Sequence, residues 1–521
     1  VPSIAIIPFE NKGADEDVFY AYGISADLIS DCSSAGLIRV AGLKDIEKLD
    51  YANLKYEELS EKLLVRYVAQ GTLWKMGEMF QLSVELYDTK DKKVVWSDRW
   101  QENWENLSII KNSLAEGLLK TLNIKPKTEK LTETVDPQAY EYYLRGKYKF
   151  NLRETTEDID VSRMLLNKAL NIDANFLTAK ILIARTWLGR ETNTKSNLDK
   201  ALELYNEILK QAKKNANKEI IASSYLGIGG FYFYKAFDKG KKSNYLDIGL
   251  DYANRAFKIY KEINDKPGLA RSLHAISNLY LQKSLLDKAL EYAENSLELN
   301  KQLENRMGIS HTLNIIGGIL RGQGSLEKAI VIILESIKIK EKHNWKSGLK
   351  YSYLSMGHIH YDMGKYDEAL KYYNKALEIF KNISNSEEGI AFVYKNISLI
   401  YYNNNDYLKS EEYIEKSIKI QNTRKLKELN LPSIVLLYLN KNKLKKIFDT
   451  DEIYKAIKNS KKFVIDIEAY FGLYKLLKDS KYLEISYNQI QEELNKMEDK
   501  FAKKFLSYPI PKTIVEEWER I

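Results

Sequence analysis

Cysteine is almost absent: Cys32 is the only one in 521 residues. No disulfide can form within the chain, and this usage fits a reducing compartment, with the cytoplasm as the expected location. No histidine lies near Cys32 in sequence to activate it, so it reads as a small helix-packing residue rather than a nucleophile. No apolar run reaches the roughly 18 residues that a membrane helix needs. The run Ile434 to Leu439 is far too short. The chain opens Val1-Pro2-Ser3, with neither a basic-then-apolar leader nor an initiator methionine, and reads as a piece of a longer protein. No biased tract dominates the 44% hydrophobic and 29% charged composition, which argues against wholesale disorder.

Catalytic signatures are missing too. There is no Gly-x-x-x-x-Gly-Lys-Ser/Thr loop, no Gly-x-Gly-x-x-Gly, no Gly-x-Ser-x-Gly elbow and no His-Glu-x-x-His. The run Gly317-Gly-Ile-Leu-Arg-Gly322-Gln-Gly324 lacks the lysine that would reach a phosphate. His358 and His360 are two apart, so on a helix they face away from each other and cannot share a metal. His274, His311 and His358 recur along the chain and read as polar surface residues rather than metal ligands. The expectation is a chain with no catalytic role, cofactor or metal.

Net charge is +8, unevenly spread. Residues 1–125 carry 15 Lys and Arg against 20 Asp and Glu, a net −5, which leaves +13 for the rest. A basic helical array suits an acidic partner, or a nucleic acid as the alternative. The 37 tyrosines read as repeat positions more readily than as base-stacking platforms. The lysine doublets Lys445-Lys446, Lys461-Lys462 and Lys503-Lys504 share no aromatic interleaving and read as solvated faces.

What is present is repetition. Gly268, Gly308, Gly348 and Gly389 each open a helix-like segment, at steps of 40, 40 and 41. Ala289, Ala329, Ala369 and Ser410 keep the same step, as do Ser277, Gly317, Gly357 and Ser398, which lie 12 residues earlier. Two small residues in fixed relation let paired helices approach closely. The stretch Tyr353-Leu-Ser-Met-Gly357-His-Ile-His-Tyr361, then Gly364-Lys-Tyr366-Asp-Glu-Ala369 and Ala376-Leu, resembles the tetratricopeptide repeat. These units run to 40 or 41 residues, whereas the family's usual length is 34. They also lack the family's closing proline, which suggests longer second helices.

Weaker copies pair Gly227 with Gly249, Ala184 with Ala201, and Gly146 with Ser162. Seven hairpins are expected within an array at 137–424, with Arg153–Asp158, Gly189–Asn197 and Phe237–Asn244 as insertions. Residues 425–521 read as a helical cap covering the last hydrophobic face. In it, Ile514–Trp518 forms a short helix after the Pro509 and Pro511 break, folding back as a lid.

Residues 1–124 differ. Strand-like runs at Ile4–Phe9, Leu37–Val40, Tyr67–Trp74, Phe80–Tyr87 and Lys93–Trp100 alternate with helical spacing at Phe19–Ser30, Glu57–Leu64 and Asn103–Leu122. This predicts a small α/β domain, followed by a linker at 125–136. Pro2-Ser-Ile-Ala-Ile-Ile-Pro-Phe-Glu-Asn11, Tyr22-Gly-Ile, Val65-Arg-Tyr-Val-Ala-Gln-Gly71, Leu86-Tyr-Asp-Thr and Trp96-Ser-Asp-Arg resemble the TolB-like amino-terminal domain family. That resemblance implies the regulatory half of a bacterial signalling protein, such as a class III nucleotide cyclase or a kinase, whose effector domain is not in this chain. The expected fold is thus an α/β domain before a right-handed tetratricopeptide superhelix.

The tetratricopeptide resemblance also implies a concave groove lined by first helices. Its offsets from the small residue give Arg271, His274, Asn278 and Gln282 in one repeat, and His311, Asn314 and Arg321 in the next. Tyr351, His358, Tyr361 and Asp362 follow, then Lys395, Tyr402 and Asn403. This polar list is the expected partner-binding surface. Its arginines could grip a carboxylate of an acidic peptide by paired hydrogen bonds, with a fused or associated cyclase or kinase as a further partner.

Overall fold

The computed structural model describes the chain except residues 1, 35–37, 48, 78, 104–105, 125–135, 152, 154–155, 189–194, 237–241, 304, 344, 383–385, 425–429, 461–466, 496 and 498. The protein is mostly a helical repeat array, preceded by a small α/β sheet region. It divides into two compact units. The first is Val1–Lys235 with Tyr245–Ile276 and Glu294–Ile309; the second is Ala236–Asn244, Ser277–Ala293 and Ser310–Ile521.

The sheet belongs to the first unit. β1 (Ser3–Ile6) lies between β3 (Arg39–Val40) and β4 (Tyr67–Met76), parallel to both, and β2 (Glu10–Asn11) also pairs with β4. From β4 the chain turns back antiparallel through β5 (Met79–Asp88) and β6 (Lys93–Asn103). Ile4, Ala5 and Ile6 are fully buried, as a central parallel strand requires. β5 instead alternates buried and half-buried residues along its length, so only one face meets the core.

That face is covered by α1 (Val18–Ser34) and α4 (Leu107–Thr121), with short α2 (Leu43–Ile46) and α3 (Tyr56–Leu63) between them in sequence. Cys32 is buried in α1. The predicted first strand is shorter than expected. It ends at Ile6, because Pro8 cannot donate to the ladder.

Among the described residues, seven helix pairs follow in chain order: α5 (Pro137–Asn151) and α6 (Thr156–Ile172), α7 (Leu177–Trp187) and α8 (Lys195–Lys214), α9 (Lys218–Lys235) and α10 (Lys242–Glu262), α11 (Lys266–Gln282) and α12 (Leu286–Gln302), α13 (Arg306–Gly322) and α14 (Leu326–Lys342), α15 (Lys346–Asp362) and α16 (Tyr366–Lys381), and α17 (Glu387–Asn403) and α18 (Tyr407–Arg424). Most of Gly189–Asn197 and Phe237–Asn244, and two residues of Arg153–Asp158, lie outside the described residues, and α6, α8 and α10 begin within these three stretches. The core of the sheet runs on without a break into Tyr143, Leu144, Phe150, Leu166 and Leu182. The first helix pairs therefore share the hydrophobic core of the sheet.

The extra length of the repeat is not confined to second helices. α11, α12, α13, α14 and α15 each span 17 residues. The small-residue markers sit where helices nearly touch. Ala289, Ala329, Ala369 and Ser410 are fully buried. Ser277 donates to the Ala289 carbonyl at 2.7 Å, and Ser398 does the same to Ser410. In the third pair the close approach is at Gly229, not Gly227. A Cβ on Gly229 would lie 3.1 Å from the Gly249 carbonyl, whereas Gly227 accommodates the Tyr205 ring.

The 40-residue glycines have a separate reason. A Cβ on Gly268 would lie 2.2 Å from Tyr260, one on Gly308 2.0 Å from Asn300, and one on Gly389 2.3 Å from Phe380. Each glycine admits the buried side chain that ends the preceding helix. At the equivalent point before Gly348 that side chain is Lys340.

The remaining helices belong to the second unit: α19 (Asn430–Lys443), α20 (Thr450–Ser460), α21 (Ile467–Leu477), α22 (Ser480–Leu494), α23 (Asp499–Phe505) and α24 (Pro509–Trp518). The prolines expected to break the chain instead start α24. Pro509 is its first residue, where a missing N–H costs nothing.

Candidate partner-binding surface

In the first unit, α11 carries Arg271 and His274. Arg271 is exposed, with its guanidinium 5.8 Å from the Tyr260 ring centroid. It lines a cavity of about 210 Å³ with Ile29, Val40, Glu219, Asp265 and Asn305. His274 is half-buried, and burial pulls its pKa down to about 4.

In the second unit, Asn278, Gln282 and Asn314 are half-buried and His311 is exposed. Arg321 on α13 reaches one repeat forward to Asp362 on α15, making a two-point ion pair that includes an Nη2–Oδ1 contact of 3.1 Å. Arg321 thus already holds a carboxylate of this chain.

Further along, the first-helix residues are engaged internally. Tyr361 is buried; it donates to Glu468 at 2.7 Å and accepts from Asn403 at 2.9 Å. Lys395 is also buried, and with Leu399, Val435 and Glu468 it lines a void of only about 30 Å³. His358 shares a 2.7 Å hydrogen bond with Tyr373. Burial, with the charges of Arg321 and Lys395, pushes the His358 pKa well below its ordinary value. Tyr351 packs edge-on against Phe380, and Tyr402 against Tyr407. Of the predicted surface in this unit, Tyr361 and Lys395 are buried, His311 and Arg321 are exposed, and the other positions on α11, α13, α15 and α17 are half-buried.

Sequence reasoning missed a buried polar chain beside it. Lys340 donates to Ser352 at 2.7 Å, and Ser352 donates onward to Asn314 at 2.8 Å. Desolvation lowers the Lys340 pKa to about 7. The only signal was positional: Lys340 stands 40 residues after Asn300 and 40 before Phe380. Among the described residues, no group of three or more His, Cys, Asp or Glu could hold a metal ion, and no helix is long and apolar enough to cross a membrane.

Comparison with known proteins matches this helical geometry. Residues 351–423 and residues 270–303 each match a tetratricopeptide repeat model. The helix pairs within those two stretches are tetratricopeptide repeats. Over 222 residues this chain is 26% identical to a Rhizobium meliloti (strain 1021) protein named "Putative adenylate cyclase 3". The match covers 40% of this chain and 37% of that protein's length. Among solved structures, a Rap protein complexed with competence and sporulation factor is similar at TM-score 0.46 and 16% identity, over 73% of this chain and 99% of that one. A signal-transduction ATPase with a tetratricopeptide repeat sensor, from Pyrococcus horikoshii, is similar at TM-score 0.47 and 16% identity, over 89% and 66%.

Proposed function

We propose that this chain is the recognition half of a signalling protein. Its tetratricopeptide array holds a peptide or protein segment and thereby adjusts an effector, a nucleotide cyclase or a kinase, that is fused to it or associated with it. The chain itself performs no chemistry in this reading. Its α/β region is TolB-like, and its location is the cytoplasm. The observation that carries the reading is the strip on α11, α13 and α15 in the second unit. Asn278, Gln282, His311, Asn314 and Tyr351 remain partly or fully accessible there. They are polar and aromatic groups on rigid helices, able to hydrogen-bond an extended backbone without large ordering costs. The partial match to a cyclase-named relative supports the effector class.

An acidic ligand is no longer favoured, because Arg321 is already paired. The nucleic-acid alternative is also weakened. Lys288 sits over Tyr280, Lys375 over Tyr353 and Tyr372, and Lys409 over Tyr401. Those rings meet the chain's own lysines on faces that bases would need.

The test is co-purification from the native host with the full chain and with an Asn278→Ala, Gln282→Ala, His311→Ala variant of unchanged melting temperature. A partner retained by the parent and lost by the variant supports the reading. Identical partners on both contradict it.

A further inference from the structure

Four successive tetratricopeptide pairs share one turn between first and second helices. Ser284, Gly324, Gly364 and Asn405 all adopt left-handed backbone, with φ of 57°, 74°, 72° and 61°. In each, the next residue's N–H returns to a carbonyl five positions back. Ser284 and Asn405 show that this turn does not by itself demand glycine. At the two glycine turns another part of the chain presses close. A Cβ on Gly324 would lie 3.4 Å from the Met497 Sδ and from Phe501, and one on Gly364 would lie 2.9 Å from Pro509 Cγ.

Both contacts come from the single stretch 497–509, within the second unit. Lys504 in that stretch pairs with Glu327 at 2.5 Å, and both side chains are about half exposed. Four residues on, Tyr508 is buried with Leu326, Tyr353 and Ala369. Its hydroxyl finds no hydrogen-bond partner among the described residues, so the stretch fills its seat imperfectly.

We propose that the edge formed by the turns at Gly324 and Gly364 is a docking site for a polypeptide segment with lysine four residues before tyrosine-proline. Met497, Phe501, Lys504, Tyr508 and Pro509 occupy it as parts of a displaceable strap. Gly364 keeps the seat shallow, Glu327 reads the lysine, and the apolar cluster around Leu326 and Tyr353 takes the tyrosine. A partner segment of the same pattern binds when it displaces the strap. This rests on reading the array as a peptide-binding module, but it uses a different surface from the first-helix strip.

The experiment measures binding of a fluorescein-labelled synthetic peptide of residues 497–513 to the full chain by anisotropy. A Lys504→Glu, Tyr508→Ala chain, whose own strap is weakened, should bind the peptide at least about tenfold more tightly than the parent, because the occupied state no longer competes. Adding Gly364→Asn, which keeps a turn like that at Asn405 but fills the seat, should remove the gain. Equal binding by parent and strap variant, including none by either, overturns the proposal, as does a gain that survives Gly364→Asn. Lys504→Glu alone guards against misfolding: hydrogen exchange should quicken in 497–509 and stay unchanged in α16. Unchanged exchange in 497–509 also overturns it. None of these variants touches Asn278, Gln282 or His311, so failure here leaves the first-helix reading standing.

Discussion

Tyr361 and Glu468 are 107 positions apart, and the tyrosine hydroxyl donates to the carboxylate at 2.7 Å. The bond ties a first helix of the array to the start of α21, and Asn403 completes it by donating to the same oxygen. Replacing Tyr361 with Phe removes the donor for Glu468 and the acceptor for Asn403. Net loss of such a bond costs about 1–2 kcal/mol. The midpoint of urea unfolding should fall for Tyr361→Phe with an unchanged slope; an unchanged midpoint would show that the contact contributes nothing.

Ala369 sits at the crossing of α15 and α16 and is fully buried. Its repeat neighbour Gly357 already meets the Tyr373 ring, at 2.5 Å from where a Cβ would be. Ala369→Leu should overpack this site and cost about 1–3 kcal/mol. Val331→Thr, at a position 65% exposed, should change little. Melting temperatures check both, and an unchanged value for Ala369→Leu would refute the register.

Lys340 predicts a pH dependence. Its folded pKa is about 7, lowered by burial, against roughly 10.4 in an unfolded chain. Between these values the unfolded state binds the extra proton, so this lysine makes stability rise as pH climbs from 7 towards 10. Below pH 7 both states are charged and its contribution is flat, with the desolvation penalty in force. Lys340→Met should therefore raise the melting temperature most near neutral pH, and its advantage over the parent should shrink by pH 10. A constant difference across that range would show that the lysine keeps its charge in the fold.

How far the sequence reveals this structure depends on periodicity. Gly268, Gly308, Gly348 and Gly389 announced the repeat because each must admit a bulky neighbour, so the same constraint recurs at the same step. β5 was legible from its strict alternation. β2 and α2 were not, because two- and four-residue elements carry no period. The candidate surface was legible only as positions on first helices. Which of them stay accessible was settled by partners far along the chain: Glu468 covers Tyr361, and Val435 and Leu439 stand beside Lys395. Offsets within one repeat cannot report contacts made by a non-repeating segment. Nothing near Gly324 or Gly364 in sequence signals that Met497, Phe501 and Pro509 stand against them.

The central claim is that the first-helix face of the second unit holds a polypeptide. Site-specific photo-crosslinking tests it most directly. A benzoylphenylalanine at His311, which is exposed on α13, is compared in the native host with one at Val331 on α14, also exposed. The account predicts a discrete crosslinked polypeptide from position 311 that is absent from position 331. Crosslinking only from 331, or equally from both, would contradict it.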